Sequence, residues 1–169
     1  MLLDGVGAGS LADLLVDGLA VAGRVPLRVR AADFLRPAGV RFEHGREDPD
    51  ALRGAWLDEG ALRREVLEAA GTWLPRLRDA ASDRSARAAR RPLPVGAALL
   101  VDGQFLLGRG LPAELAVHVA LSPGALLRRG VPGWQVPAFA SYDAEVRPGE
   151  VCDVLVRAED PKRLAVLVR

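Results

Sequence analysis

The first ten residues restrict the fold of this chain more than any other segment. After Met1 come two leucines and an acid, Leu2–Asp4, then a glycine-rich turn, and then an amphipathic segment that begins near Ser10. This is the order of a strand, a tight turn and a helix, in which backbone amides can hold a phosphate group. The sequence therefore predicts a phosphate-binding turn made of Gly5, Val6, Gly7, Ala8, Gly9 and Ser10.

This turn departs from the common nucleotide-binding pattern G-x-x-x-x-G-K-[ST]. From Gly5 the chain reads G-V-G-A-G-S, which is one residue short between the outer glycines and contains no lysine. The lysine of the common pattern reaches the β- and γ-phosphates of the nucleotide. The only lysine of this chain is Lys162, far away in the sequence. We therefore expect a turn that keeps the scaffold of a phosphate site and lacks part of its chemistry.

Length and composition favour one globular domain over residues 1–169. The chain is 50% hydrophobic and 27% charged, which suits a folded domain with a core of its own. No apolar run approaches the roughly 18 residues that a membrane span needs, and a net charge of +1 gives no field that attracts nucleic acid. The single cysteine, Cys152, excludes an internal disulfide and is expected to be a small buried residue. We expect a cytoplasmic protein that binds neither nucleic acid nor membrane, in an oligomeric state that the sequence leaves open.

Apolar runs alternate with helical patterns along the chain. Strands are expected at residues 25–30, 97–103, 115–121 and 153–157, with an additional strand at 164–168, and helices at 11–21, 58–70, 122–130 and 138–146. Residues 38–49 are predicted to form a surface loop, and residues 72–94 a mostly irregular excursion. Strands that alternate with helices indicate an α/β fold with a parallel sheet and with its functional sites at the carboxyl ends of the strands.

Five short motifs, in the same order along nearly the whole chain, resemble those of bacterial, actinobacterial-type, uridine-kinase-like P-loop proteins. They are Asp4-Gly5 with the glycine turn, Asp33-Phe34-Leu35-Arg36-Pro37, His44-Gly45-Arg46, the run Leu-Val-Asp-Gly-Gln-Phe-Leu-Leu at 100–107, and Asp-Val-Leu-Val at 153–156. The resemblance implies a three-layer P-loop NTPase-like fold with a five-stranded parallel sheet and a short lid at about 128–137. It also implies transfer of a phosphoryl group from ATP to a nucleoside hydroxyl, with ATP and Mg²⁺ as cofactors.

The resemblance also assigns roles to individual residues. Asp33 would be the catalytic base, although Ala32 stands where the family usually has the first of two adjacent acids. The turn at 5–10 would hold ATP together with Arg128 and Arg129, Ser10 and Asp102 would approach Mg²⁺, and the nucleoside would be faced by Phe34, Arg36, His44 and Arg46.

Two other functions remain open at this stage. The missing lysine, the short turn, Ala32 and the small lid favour a catalytically silent relative that binds a nucleoside, a nucleotide or a protein partner. Alternatively, Gly5-x-Gly7-x-x-Ser10 followed by Asp33 resembles a dinucleotide-binding fingerprint with an acid for the ribose. His118, in an apolar strand, is expected to be a core histidine with a hydrogen-bond partner.

Overall fold

The computed structural model describes residues 1–160 and 163–169. The strands are β1 Leu2–Asp4, β2 Pro26–Arg30, β3 Thr72–Trp73, β4 Arg78–Asp79, β5 Arg84–Ser85, β6 Arg91–Pro92, β7 Ala98–Gly103, β8 Ala116–Ala120, β9 Val154–Asp160 and β10 Arg163–Val168. The α-helices are α1 Ala8–Val21, α2 Ala38–Arg41, α3 Pro49–Gly54, α4 Glu59–Leu62, α5 Pro123–Arg128, α6 Val136–Glu145 and α7 Pro148–Val151. Two 3₁₀ turns, Ala31–Phe34 and Gly133–Gln135, and one π-helical turn, Arg63–Leu67, complete the described elements.

A six-stranded sheet in the order β10-β9-β8-β1-β7-β2 forms the centre of the molecule. Neighbouring strands run parallel from β2 to β9, while β10 pairs with β9 in the antiparallel direction. The predicted α/β fold with five parallel core strands is confirmed, and β10 extends that sheet at one edge. Two small antiparallel pairs, β3 with β6 and β4 with β5, lie within the predicted excursion at 72–94.

The two faces of the central sheet carry separate cores because side chains alternate along each strand. On one face Leu3 and Leu100 pack with Ala8 and Ala12 of α1. On the other face a larger cluster contains Leu2, Val29, Val101, Phe34, Leu62, Leu106 and Tyr142. The 3₁₀ turn that follows β2 and the helices α4 and α6 therefore cover the face opposite α1.

Gly5 fixes the path of the chain from β1 into α1. Its amide donates to the carbonyl of Gly103 at 2.8 Å, and its φ angle is +105°. A Cβ atom at this position would lie 2.5 Å from the carbonyl oxygen of Val119. A side chain is excluded by both the backbone conformation and the close approach of β8, so the glycine is required for α1 to pack at this edge of the sheet.

The prediction of a loop throughout residues 38–49 is wrong at its beginning, where α2 forms. Arg41 of α2 is only 5% exposed. Its Nε donates to the carbonyl of Arg36 at 2.8 Å, and its guanidinium lies 4.8 Å from the ring centre of Phe42 and 5.3 Å from that of Trp56. These contacts, of which the one to Trp56 is distant in the chain, order a segment whose composition is typical of a loop.

Lys162 lies outside the described residues. Among the helices of the described ranges, none combines the length and the apolar composition that crossing a bilayer requires.

Candidate functional site

A cavity of about 340 Å³ opens at the carboxyl ends of β2 and β7. Its wall combines apolar side chains with a few polar groups, which is the usual make-up of a small-molecule site. The lining residues are Arg30, Ala31, Ala32, Leu35, Leu52, Trp56, Leu57, Asp102, Gly103, Gln104, Phe105, Arg109 and Gln135. A cavity with Asp102 on its wall therefore lies at the strand ends where the sequence predicts a functional site.

Asp102 joins this cavity to the glycine turn. A Cβ atom on Gly9, in the first turn of α1, would lie 3.4 Å from Asp102 Oδ2. Asp102 itself is only 7% exposed, so its carboxylate lies between the start of the helix and the cavity. A ligand that spans the turn and the cavity would pass this carboxylate.

The carboxylate of Asp102 is neutralised by Arg28 of β2. Arg28 Nε donates to Oδ1 at 2.8 Å and Nη2 donates to Oδ2 at 3.3 Å. The same guanidinium donates to the carbonyl of Gly9 at 3.0 Å and to the carboxylate of Asp13. The hydrogen bonds that Arg28 donates to Asp102 raise the pKa of the Arg28 guanidinium above its ordinary value.

The first turn of α1 offers backbone amides to an anion. Within the described part of the chain, the amides of Gly9 and Ser10 find no acceptor, and no acid occupies this turn. Arg129 reaches the same place, because its Nη1 would be 3.3 Å from a Cβ atom on Gly7 while its Nη2 donates to the carbonyl of Ala158 at 2.7 Å. Unpaired amides, the positive end of the helix dipole and a guanidinium together fit a phosphate group.

A second, smaller cavity of about 170 Å³ lies on the other side of β1 from the first. Its lining comes from the start of α1, from β8 to β10 and from Arg129, and comprises Gly7, Ser10, Leu11, Leu14, Val119, Arg129, Val156, Ala158 and Leu164. The glycine turn therefore lies between two cavities. This arrangement can hold phosphates at the turn with an organic group on either side.

Asp33 does not line the larger cavity. Its Oδ1 accepts a hydrogen bond from Arg76 Nε at 3.0 Å, in an ion pair on the far side of the 3₁₀ turn. The neighbouring Ala31 and Ala32 line the cavity instead. The acid predicted as a base is thus held by an arginine, and the side chains that face the cavity from this turn are methyl groups.

The other predicted site residues are dispersed. Phe34 is fully buried in the core, and Arg36 is absent from the lining of the cavity. His44 and Arg46 are exposed in the loop before α3, where Arg46 lies 5.0 Å from the ring centre of Phe42. The guanidinium of Arg128 lies 3.9 Å from Glu159, so only Arg129 of the arginine pair reaches the turn.

A buried polar network supports the turn from beneath. Asp4, with no exposed surface, accepts hydrogen bonds from the amide of Leu106 at 2.8 Å and from the hydroxyl of Tyr142 at 3.0 Å. Its Oδ2 also lies 2.7 Å from Nδ1 of His118. The expectation of a core histidine with a partner is confirmed. Burial first, and then the charge of Asp4, raises the pKa of Tyr142 far above its ordinary value.

The donor set does not fit Mg²⁺ as the family pattern would require. Both oxygens of Asp102 are engaged by Arg28, and the described residues contain no cluster of acids, histidines and cysteines that could hold a metal ion. Magnesium bound by proteins takes carboxylate oxygens together with phosphates and water. Asp102 would have to release Arg28 before it could serve as such a ligand.

Sequence reasoning missed Arg28, Arg30 and Tyr142, as well as wall residues such as Trp56 and Arg109. Arg28 and Arg30 belong to the alternating pattern of β2. Nothing in that pattern indicates that Arg28 pairs with Asp102, which lies 74 residues away in the chain. Tyr142 lies 138 residues from Asp4. The one available signal was the period of two in β2, which places Arg28 and Arg30 on the same side of the strand.

No family model matches this sequence, and no curated protein matches it. Among solved structures, the fold is similar to one described as "Structure of a Possible Uridine Kinase from Bacillus stearothermophilus". The similarity has a TM-score of 0.72 and 18% sequence identity, and it covers 91% of this chain and 84% of that chain. At this identity the comparison establishes a uridine-kinase-like fold.

Proposed function

We propose that this protein is a uridine/nucleoside-kinase-like phosphotransferase that binds ATP at the glycine turn and transfers a phosphoryl group to the hydroxyl of a nucleoside in the larger cavity. The observation that carries the proposal is the position of Asp102 between the first turn of α1 and that cavity. The similarity to a possible uridine kinase supports the same class of substrate. The two ligands would meet at the Asp102 carboxylate.

In this proposal ATP, the phosphoryl donor, is held by residues 5–10 and Arg129. Phosphoryl transfer depends mainly on positioning and on neutralising the charge of the phosphates. Amides of the first turn of α1 and the Arg129 guanidinium supply part of that neutralisation. Because the turn has no lysine, we expect slow turnover. The segment 128–137, which contains Arg129 and leads to Gln135 on the cavity wall, would act as the lid.

The acceptor hydroxyl would lie in the larger cavity near Asp102. Asp33 is our candidate for the catalytic base, and it would have to release Arg76 and turn into the cavity, whose lining it does not reach in this structure. On the cavity wall, Trp56 could stack on the nucleobase of the substrate, and Gln135 could form hydrogen bonds with it.

A catalytically silent relative is the second candidate. The bidentate pairing of Arg28 with Asp102 and the methyl group of Ala32 at the cavity favour it. Both leave the cavity without an unpaired carboxylate of its own. Such a protein would bind nucleotide or nucleoside without transfer.

An assay of phosphoryl transfer separates the two candidates. The purified protein is incubated with ATP labelled in its γ-phosphate, Mg²⁺ and uridine, and ATP binding is measured calorimetrically on the same samples. We expect labelled uridine monophosphate from the wild type, loss of the product with Asp102→Asn, and retention of the product with Asp13→Asn. Asp13→Asn is the matched control, because it removes the other acid that pairs with Arg28 and lies outside the cavity.

ATP binding without labelled product would overturn the kinase proposal in favour of the silent relative. Failure of the folded protein to bind ATP would overturn the kinase proposal, and failure to bind both ATP and uridine would remove the support for the silent relative as well.

A further inference from the structure

The larger cavity contains one cationic group without a counter-ion. Arg30, the last residue of β2, lines the cavity, and its exposed side chain has no hydrogen-bond or ion-pair partner in residues 1–160 and 163–169. Its register partner on β7 is Asp102, whose carboxylate already belongs to Arg28. The unpaired guanidinium of Arg30 therefore shares the cavity lining with an acid that is already paired.

The other cation of the lining is fully engaged. Arg109 donates to the carboxylate of Glu59 and to the backbone carbonyls of Phe105 and Arg53. Each of its three nitrogens already donates to the protein, so Arg109 is held against the wall with its charge paired to Glu59. The charge that a ligand would meet from the cationic side chains of the cavity therefore comes from Arg30.

No acid on the wall balances this charge. Asp33 is paired with Arg76 away from the cavity, and Ala32 contributes only a methyl group. Leu35, Leu52 and Leu57 line the same space and carry no charge. The cavity consequently favours an anionic ligand over a neutral one.

We propose that the larger cavity binds a nucleoside 5′-monophosphate in preference to the nucleoside, with Arg30 holding the phosphate near Asp102. Guanidinium groups suit this role because their planar donors match phosphate oxygens. The volume of about 340 Å³ lies within the range of small-molecule sites. The proposal rests on the proposed function only for the nucleoside part of the ligand, and it holds whether or not phosphoryl transfer occurs.

Paired titrations test this inference. The protein is titrated at low ionic strength with the monophosphates of uridine, cytidine, adenosine and guanosine, with the corresponding nucleosides, with inorganic phosphate and with ATP. We expect at least one monophosphate to bind about tenfold more tightly than its nucleoside, as one charge-assisted hydrogen-bonded contact allows. Added salt should reduce the difference.

Arg30→Gln should lower the affinity for that monophosphate to the level of its nucleoside and leave ATP binding unchanged. Arg24→Gln is the matched control, because Arg24 is exposed just before β2, at the opposite end of the same strand, and outside the cavity. It removes the same charge and should leave all affinities as they are.

Four results would overturn the inference. Nucleosides could bind as tightly as their monophosphates. Arg30→Gln could weaken the binding of nucleosides and monophosphates equally, which would make Arg30 a wall residue. Arg30→Gln could also weaken the binding of ATP alone, which would assign the guanidinium to the phosphoryl donor. ATP binding with no affinity for any monophosphate also contradicts the inference while sparing the ATP site. If the wild-type protein does not bind ATP at all, by contrast, the proposed function fails and not this inference.

Discussion

Arg28 holds both carboxylate oxygens of Asp102, with Nε 2.8 Å from Oδ1 and Nη2 3.3 Å from Oδ2. The pair links β2 to β7 beneath the first turn of α1, where Arg28 also donates to the carbonyl of Gly9. It places a fixed positive charge close to a turn that lacks a lysine, and it withholds the acid best placed to meet a metal ion or a hydroxyl. The chemistry of the site depends on whether this pair opens.

Replacement of Arg28 by methionine should destabilise the protein strongly. Asp102, whose side chain is 9% exposed, would be left without its cation, and removing one partner of a buried pair costs about 3–5 kcal/mol. Asp13→Asn breaks the other ion pair of Arg28, but the Asp13 side chain is 70% exposed, so its loss should cost under about 1 kcal/mol. Urea unfolding measures both values, and equal small losses would contradict the structural role given to the pair.

Substitution of Gly5 by alanine should cost at least about 3 kcal/mol or prevent folding. The new Cβ would meet the Val119 carbonyl at 2.5 Å, at a φ of +105°. Gly18→Ala provides the control, since Gly18 lies within α1 and a Cβ there meets nothing within 4 Å. That change should add about 0.5–1 kcal/mol of stability, because alanine favours the helix. Thermal or urea unfolding that ranks the two variants the other way would contradict the described turn.

The only tyrosine of the chain, Tyr142, should stay protonated in the folded protein well above pH 10. Its pKa is raised by burial and by Asp4, whereas an unfolded tyrosine has a pKa of about 10. Above that pH the folded state binds one proton more than the unfolded state, so stability should fall by about 1.4 kcal/mol per pH unit. Below pH 10 the contribution of Tyr142 to the free energy of unfolding does not change with pH.

Near-ultraviolet absorbance of the phenolate tests this directly, combined with urea unfolding at several alkaline pH values. In Tyr142→Phe, the decrease of the free energy of unfolding with pH above pH 10 should be smaller by about 1.4 kcal/mol per pH unit, the contribution of one proton. A phenolate signal near pH 10 in the folded wild type would rule out the buried hydrogen bond to Asp4.

Cys152 should react with a thiol reagent only when the protein opens. The side chain is 3% exposed, and burial raises its pKa, while the reactive species is the thiolate. We expect modification at least about 100-fold slower in buffer than in denaturant. Since the chain contains one cysteine, the chromophore released by a chromogenic disulfide reagent reports the reaction of Cys152 alone. Equal rates in the two solvents would show that the segment before β9 is open.

The local parts of the fold could be predicted because their signals lie within a few residues. Ser122 and Pro123 mark the start of α5, where the Ser122 hydroxyl accepts from the amide of Ala125 at 3.3 Å. The apolar run at 97–103 became the buried strand β7. Residues 5–7 form the connection between β1 and α1, whereas residues 8–10 of the predicted turn belong to α1, which begins three residues earlier than its apolar period indicated.

The contacts that define the chemistry could not be predicted, because their partners are distant in the chain. Arg28 meets Asp102 only through the register of β2 and β7. Asp33 turned away from the cavity because Arg76 arrives from the excursion at 72–94, which has little sequence pattern. The helix α2 formed in a polar segment because Arg41 is buried against Trp56. Each outcome was decided by tertiary packing.

The measurement that tests the central claim most directly is an amide-resolved NMR titration of the protein with ATP. We predict shifts concentrated at the amides of Gly7, Gly9 and Ser10, and a loss of affinity of about tenfold or more in Arg129→Gln. Arg64→Gln, which removes an exposed arginine outside both cavities, should bind as the wild type does. Shifts that leave the glycine turn unchanged, or no binding by the folded protein, would show that this turn serves only to pack α1 against the sheet.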